Sequence, residues 1–218
     1  MDQSQVLVFD MDGVLVDVTD SYRETIVRTV EHFTGKTISR DSIQDYKNRG
    51  GWNNDWALSQ KICQDLGVDL PYARVVDYFN WLFLEQGLIH RERWLPRHGL
   101  LERLSEKFEL AIFTGRTTEE AEITLNGQGL RDRFLLITAN DVEREKPAPD
   151  GLLKIAGLRP SKKLLYVGDT VDDARCARAA SVPFVGIAAE QSPRRAELLE
   201  LFHNEGAIQV LKDINEIG

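Results

Sequence analysis

Two aspartates two residues apart follow a short apolar run near the start of the chain. Val6-Leu7-Val8-Phe9 leads into Asp10-Met11-Asp12-Gly13-Val14-Leu15-Val16-Asp17. A run of that length and character makes a buried strand. Two carboxylates crowded at one strand end repel, so one must take a proton or a cation must sit between them. Such a cost points to a functional site, and the chemistry it suits is a divalent metal with a carboxylate nucleophile.

Similar strand ends recur along the chain. Leu110 to Phe113 precedes Thr114-Gly115-Arg116, and Phe134 to Ile137 precedes, after a short polar stretch, Lys146-Pro147. Leu164 to Val167 precedes Gly168-Asp169-Thr170-Val171-Asp172-Asp173; Val182 to Ile187 is a fifth run and Ala207 to Leu211 a possible edge strand. Helical stretches separate the runs, which predicts a parallel sheet covered on both faces. Ligands of such sheets bind outside the C-terminal strand ends. Four strand ends therefore bring carboxylates, a hydroxyl and a lysine to one edge.

The segment from Ser21 to Arg93 breaks this rhythm. It reads as helices over 21–34, 56–66 and 72–84, with no buried strand run. Asp20 or Ser21 is expected to cap the first helix, with Glu24 completing a capping box if Ser21 is the cap. Pro71 suits a helix start. The segment is an insertion of roughly 70 residues between the first strand and its core helix. The expected division is a core of residues 1–17 and 94–218 with a helical unit of residues 18–93. Within that unit, Arg49-Gly50-Gly51-Trp52-Asn53-Asn54-Asp55-Trp56 has two readings. In one, Trp52, Asn53 and Asn54 belong to a substrate loop facing the core, suited to a planar or hydroxylated body. In the other, Asn54 or Asp55 caps a helix and the tryptophans pack inside the unit.

The 218 residues are 42% hydrophobic and 28% charged, ordinary for a globular chain with one core and a smaller appended unit. A net charge of -8 argues against a nucleic-acid partner, whose phosphates need neutralising by Lys and Arg. Two cysteines without metal-ligand spacing suggest reduced thiols. No apolar run is long enough for a membrane span, and a cytoplasmic location is expected. The four histidines show no ligand spacing.

The four motifs, in this order, resemble those of the haloacid dehalogenase superfamily of hydrolases, and the resemblance covers the whole chain. The helical insertion is similar to the cap of the subgroup that includes phosphoglycolate phosphatase and β-phosphoglucomutase. The resemblance implies an α/β fold: a Rossmann-like three-layer core with a parallel sheet, plus a small all-helical cap domain. It implies Asp10 as nucleophile, Asp12 as general acid and base, and Lys146 as the cation that reduces repulsion between anions. Mg²⁺ is the implied cofactor, held by Asp10, the backbone carbonyl of Asp12 and Asp169, with Asp173 binding directly or through water. Thr114 and Gly115 are expected on the phosphoryl group. Arg116 is expected either to reach substrate or to form a surface salt bridge. Asp172 lies about 100° of helix from Asp173 and is expected to face away or cap its helix. Asp17 is expected to fix the hinge or cap the first cap helix. The dehalogenases carry no Asp at the position of Asp12, since a halide needs no proton, so its presence favours phosphoryl transfer. The expected activity is Mg²⁺-dependent hydrolysis of a small phosphorylated metabolite through an aspartyl-phosphate, by a monomer or homodimer. A phosphomutase is the alternative; a non-catalytic binding protein would require a broken motif.

Overall fold

Six parallel strands carry the site, and the sequence of each explains its depth. In the computed structural model, which describes residues 4–217, the strands are β1 (Gln5–Phe9), β4 (Glu109–Phe113), β5 (Leu135–Ile137), β6 (Lys163–Gly168), β7 (Phe184–Ile187) and β8 (Gln209–Leu211). Their order across the sheet is β5-β4-β1-β6-β7-β8, and every pairing is parallel. The central strand β1 is apolar on both faces, as a doubly covered parallel sheet requires. Leu7 and Phe9 enter one core and Val6 and Val8 the other. Pro183 has no N–H to give the ladder, so β7 starts at Phe184, two residues later than the apolar run.

Helices cover both faces. α5 (Leu100–Ser105) and α6 (Thr118–Gly127) share the core of Leu7 and Phe9. α7 (Asp150–Leu158), α8 (Val171–Ala179) and α9 (Arg195–Asn204) pack Leu152, Ile155, Ala174, Leu198 and Phe202 against the other. The result is three layers. Cys63 and Cys176 are buried free thiols in separate cores.

The chain leaves and re-enters the sheet layer through a two-stranded antiparallel ribbon, β2 (Val16–Asp17) against β3 (Arg93–Trp94). Asp17 accepts from the Thr19 N–H at 2.9 Å and pairs with Arg93 across the ribbon, so it fixes the hinge. Between the two strands lie α1 (Tyr22–Thr34), α2 (Arg40–Arg49), α3 (Asp55–Asp65) and α4 (Tyr72–Asn80). Tyr22, Phe79 and Phe83 stack at their centre, with the Tyr22 and Phe83 rings 4.1 Å apart. The last predicted helix continues beyond Asn80 as a π turn, Trp81–Glu85.

Two local expectations are corrected. Ser21 occupies the N-cap position of α1, but its hydroxyl caps nothing, because its ψ of -94° is not a capping conformation; Glu24 pairs with Arg28 instead. The helix α2 was not expected. Its sequence, RDSIQDYKNR, has too few apolar residues to show a stripe, although Ser39 caps it by accepting from the Ser42 N–H.

Two glycines in α7 separate packing from propensity. A Cβ on Gly151 would lie 2.2 Å from the Phe113 ring, whereas one on exposed Gly157 would meet nothing within 4 Å. Gly151→Ala should destabilise the protein by about 1–3 kcal/mol. Gly157→Ala should stabilise it by about 0.5–1 kcal/mol, through the lower conformational entropy of the unfolded chain. Urea titrations of the two variants check both signs.

Candidate active site

β1 and β6 are neighbours in the sheet, so their C-terminal ends lie side by side. The Asp10 N–H, the first after β1, still donates to the Val167 carbonyl at 2.8 Å. Asp169 follows β6 by one residue. Asp173 lies on the first turn of α8, where Thr170 and Asp173 form a capping box. A ligand oxygen from each of Asp10, Asp169 and Asp173 lies within 4.8 Å of the others. Lys146 enters from the loop after β5, and its Nζ lies 2.8 Å from both Asp10 Oδ1 and Asp173 Oδ1. Asp173 also accepts from the Tyr166 hydroxyl at 2.7 Å and the Thr170 hydroxyl at 2.7 Å. The loop after β1 turns at Gly13, whose φ is +73° and where a Cβ would overlap the Asp169 carboxylate. Only glycine allows that approach.

These charges are far out of water. Burial, helped by the neighbouring Asp173 and Asp12, pushes the Asp10 carboxyl up to about 7 despite Lys146. Burial, then Asp173 and Asp10, hold Asp169 well above the usual carboxylate range. Burial would raise Asp173 too, but Lys146 overcomes it and leaves it below that range. Burial would lower Lys146, but Asp10 and Asp173 outweigh it and hold the ammonium charged. One lysine thus faces three carboxylates. A hard divalent cation with oxygen ligands fits this surplus of negative charge, and Asp10 and Asp169 are the carboxylates with capacity left to hold it. Asp173 already spends both oxygens on Lys146, Tyr166 and Thr170.

Thr114 and Gly115 follow β4, two strand positions from Asp169. Thr114 is buried, and its hydroxyl accepts from the Arg116 N–H at 3.2 Å. Gly115 lines a cavity together with Asp10, Asp12 and Asp169. Arg116 corrects its expectation as a substrate or surface group. It is 2% exposed, and its guanidinium donates to Asp12 Oδ1 from Nε at 2.8 Å and from Nη2 at 2.5 Å. It also reaches Glu92 at 2.7 Å and Thr124 at 2.8 Å and lies over the Tyr22 ring. Arg116 therefore orients Asp12: it takes one carboxylate oxygen and leaves Oδ2 without a hydrogen bond among the described residues. Glu92, just before β3, gave no motif by which sequence reasoning could find it.

The helical unit covers the cavity. Asn53 sits against Gly115, where a Cβ would fall 2.3 Å from its amide nitrogen. Asn54 lines the cavity and also caps α3, accepting from the Ala57 N–H at 3.0 Å, so the two readings of this loop are not exclusive. Trp52 is corrected. It packs edge-on to Tyr46 and against the apolar core, and it is not among the cavity-lining residues, whereas Trp56 is. Asp172 faces away from the carboxylate cluster, but into the helical unit. It is 2% exposed and accepts from the Gly51 N–H at 2.8 and 2.9 Å.

The chain belongs to the haloacid dehalogenase-like hydrolases, whose family model matches residues 7–187. It is an enzyme of that class. A protein of Phytophthora nicotianae named imidazoleglycerol-phosphate dehydratase is 29% identical over 86% of this chain, although the match spans only 44% of that longer protein. A phosphoglycolate phosphatase of Colwellia psychrerythraea is 25% identical over 86% of this chain and 85% of its own length. Among solved structures, a haloacid dehalogenase-like protein of Agrobacterium tumefaciens superposes with a TM-score of 0.77 at 22% identity, covering 98% of this chain and 95% of that one. That likeness shows the shared fold. Among the described residues no helix is long and apolar enough to cross a membrane.

The raised Asp10 and Asp169 carboxyls bind protons more tightly in the folded chain than in the unfolded one. The contribution of Asp10 to metal-free stability is complete below the unfolded value near 3.8 and is lost as pH rises through about 7, and that of Asp169 is lost in the same direction. A cation competes with those protons. Added Mg²⁺ should therefore raise the melting temperature little at about pH 5.5 and clearly at about pH 8. Asp169→Asn should raise the metal-free melting temperature at the higher pH and remove the Mg²⁺ response. Thermal scans of both proteins check this.

Proposed function

We propose that this phosphatase hydrolyses a small phosphorylated metabolite through an aspartyl-phosphate on Asp10, with Mg²⁺ bound beside it. The observation that carries this reading is the pairing of Asp10 with Lys146 through Oδ1 alone, next to Asp169. Asp10 Oδ2 makes no hydrogen bond among the described residues, so it has a lone pair to spend on phosphorus. Named phosphatase relatives support the reaction class. More than half of the longer relative, named a dehydratase, lies outside the match, so its name gives this chain no dehydratase activity.

In the first step Asp10 Oδ2 bonds to phosphorus and the ester oxygen departs, taking a proton from Asp12. In the second, water gives a proton to Asp12 and attacks the same phosphorus, which frees inorganic phosphate and restores Asp10. Arg116 holds Asp12 so that Oδ2 performs both transfers. Lys146 offsets the anionic charge of Asp10 as the phosphoryl dianion approaches. Asp10, Asp169 and the Asp12 carbonyl would hold Mg²⁺, which when bound supplies charge neutralisation for the phosphoryl group. The helical unit excludes water from the cavity while the leaving group departs. The ligand is a free metabolite in the cytoplasm, with no nucleic acid involved.

Phosphate release from a panel of phosphorylated metabolites, with Mg²⁺ or with excess chelator, tests the reading. Mg²⁺-dependent release without added sugar bisphosphate is expected; release that requires a bisphosphate, with product retaining the phosphoryl group, would make it a mutase. Asp10→Asn should cut turnover by about four orders of magnitude or more with the fold intact. Asp12→Ala should slow both steps by about 10²–10⁴.

A further inference from the structure

Arg116 makes five side-chain hydrogen bonds, one for each N–H of its guanidinium. Nε and Nη2 donate to a single oxygen of Asp12, Oδ1. The terminal edge faces Glu92, with Nη2 at 2.7 Å from Oε1 and Nη1 at 3.3 Å from Oε2. Nη1 also donates to the Thr124 hydroxyl at 2.8 Å, and that hydroxyl donates to Glu92 Oε2 at 2.7 Å. The Arg116 side chain is 1% exposed and that of Glu92 7%, so little water reaches these bonds.

The two carboxylates are held differently. Glu92 takes the guanidinium in a fork, one oxygen on each terminal nitrogen. That is the strong geometry of an arginine–carboxylate pair. Asp12 is left with the side edge and gives it one oxygen. Without a competitor, the same arginine would offer Asp12 a fork and engage both of its oxygens. Oδ2 would then be taken, and Oδ2 is the oxygen the reaction needs for proton transfer. Stability does not account for Glu92. Two carboxylates on one buried guanidinium leave a negative charge in excess, and buried ion pairs add little over apolar packing.

We propose that Glu92 is a positioning residue for the general acid: it occupies the terminal edge of Arg116, confines Asp12 to a one-oxygen contact and so keeps Asp12 Oδ2 free to protonate the departing ester oxygen. The inference rests on the phosphatase reading above and deepens it. Glu92 acts through Arg116 and does not touch the reacting atoms. Thr124, on α6, braces the Glu92 carboxylate from the sheet layer.

The test compares phenyl phosphate with 4-nitrophenyl phosphate, two esters of similar shape, by kcat/KM in Mg²⁺. Phenolate is as basic as a tyrosine side chain, with a pKa of about 10, and its departure needs a proton. The nitro group stabilises the departing anion, which then needs the acid far less. Glu92→Gln keeps the shape and removes the charge. It should lose about tenfold or more on phenyl phosphate and clearly less on 4-nitrophenyl phosphate. Thr124→Val leaves both charges in place and should shift the ratio the same way by a smaller factor, which keeps the proposal testable if Glu92→Gln folds poorly. Asp12→Ala, measured alongside, should show the largest bias against phenyl phosphate. A bias in Asp12→Ala together with equal losses on the two esters in the Glu92 and Thr124 variants would overturn the role of Glu92 and leave the phosphatase reading standing. No bias in Asp12→Ala would overturn the acid itself, and this inference with it.

Discussion

Lys146 stands between two of three carboxylates that would otherwise be too costly to bury together. Its two contacts of 2.8 Å join Asp10, at the end of β1, to Asp173, on the first turn of α8. Each participant comes from a different connection, so the adjacency of β1 and β6 is a precondition for the cluster. The order of the sheet is therefore tied to an electrostatic requirement as well as to apolar packing. The start of α8 contributes too, because the unpaired N–H groups of a helix N-terminus favour the ionised Asp173. Thr170, Tyr166 and Lys146 saturate that carboxylate and make it a support. Asp10 and Asp169 keep bonding capacity, and that asymmetry separates groups that hold the site from groups that act in it.

A second ionic arrangement joins the sheet layer to the hinge. Arg116 lies at the end of β4, yet it binds Glu92 on the returning hinge chain and lies over Tyr22 on α1. One buried guanidinium thus spans both sides of the passage between sheet and helices while it orients Asp12. Buried ion pairs of this kind add little net stability against apolar substitutes, but breaking one partner leaves an uncompensated charge. The value of the arrangement is positional: it sets Asp12 and the hinge by the same contact.

Much of this was legible in the sequence because chemistry at strand ends is local. Asp10, Asp12, Thr114, Lys146 and Asp169 each follow an apolar run, and the run predicts where the backbone will place them. The edge strand near Val210 and the helix starting at Pro71 were legible for similar reasons of local pattern. What was not legible depends on distant partners. Glu92 sits in Arg91-Glu92-Arg93, which has no periodicity, and its role exists only once Arg116 arrives from β4. Trp52 and Trp56 are four residues apart and chemically equivalent, but only the fold decides which one meets the cavity. The periodicity of α8 placed Asp172 away from Asp173 correctly; it carried no word of the loop waiting on that side.

That loop is held by its main chain. Asp172 binds the N–H of residue 51, a position kept as glycine by its φ of +80°, and no side chain of the loop takes part in the bond. Asn53, two positions on, lines the cavity and takes no part in that bond. The fastening and the cavity wall are thus written in different positions of the sequence. A lineage descended from this chain could vary position 53 one substitution at a time and keep the main-chain bond to Asp172.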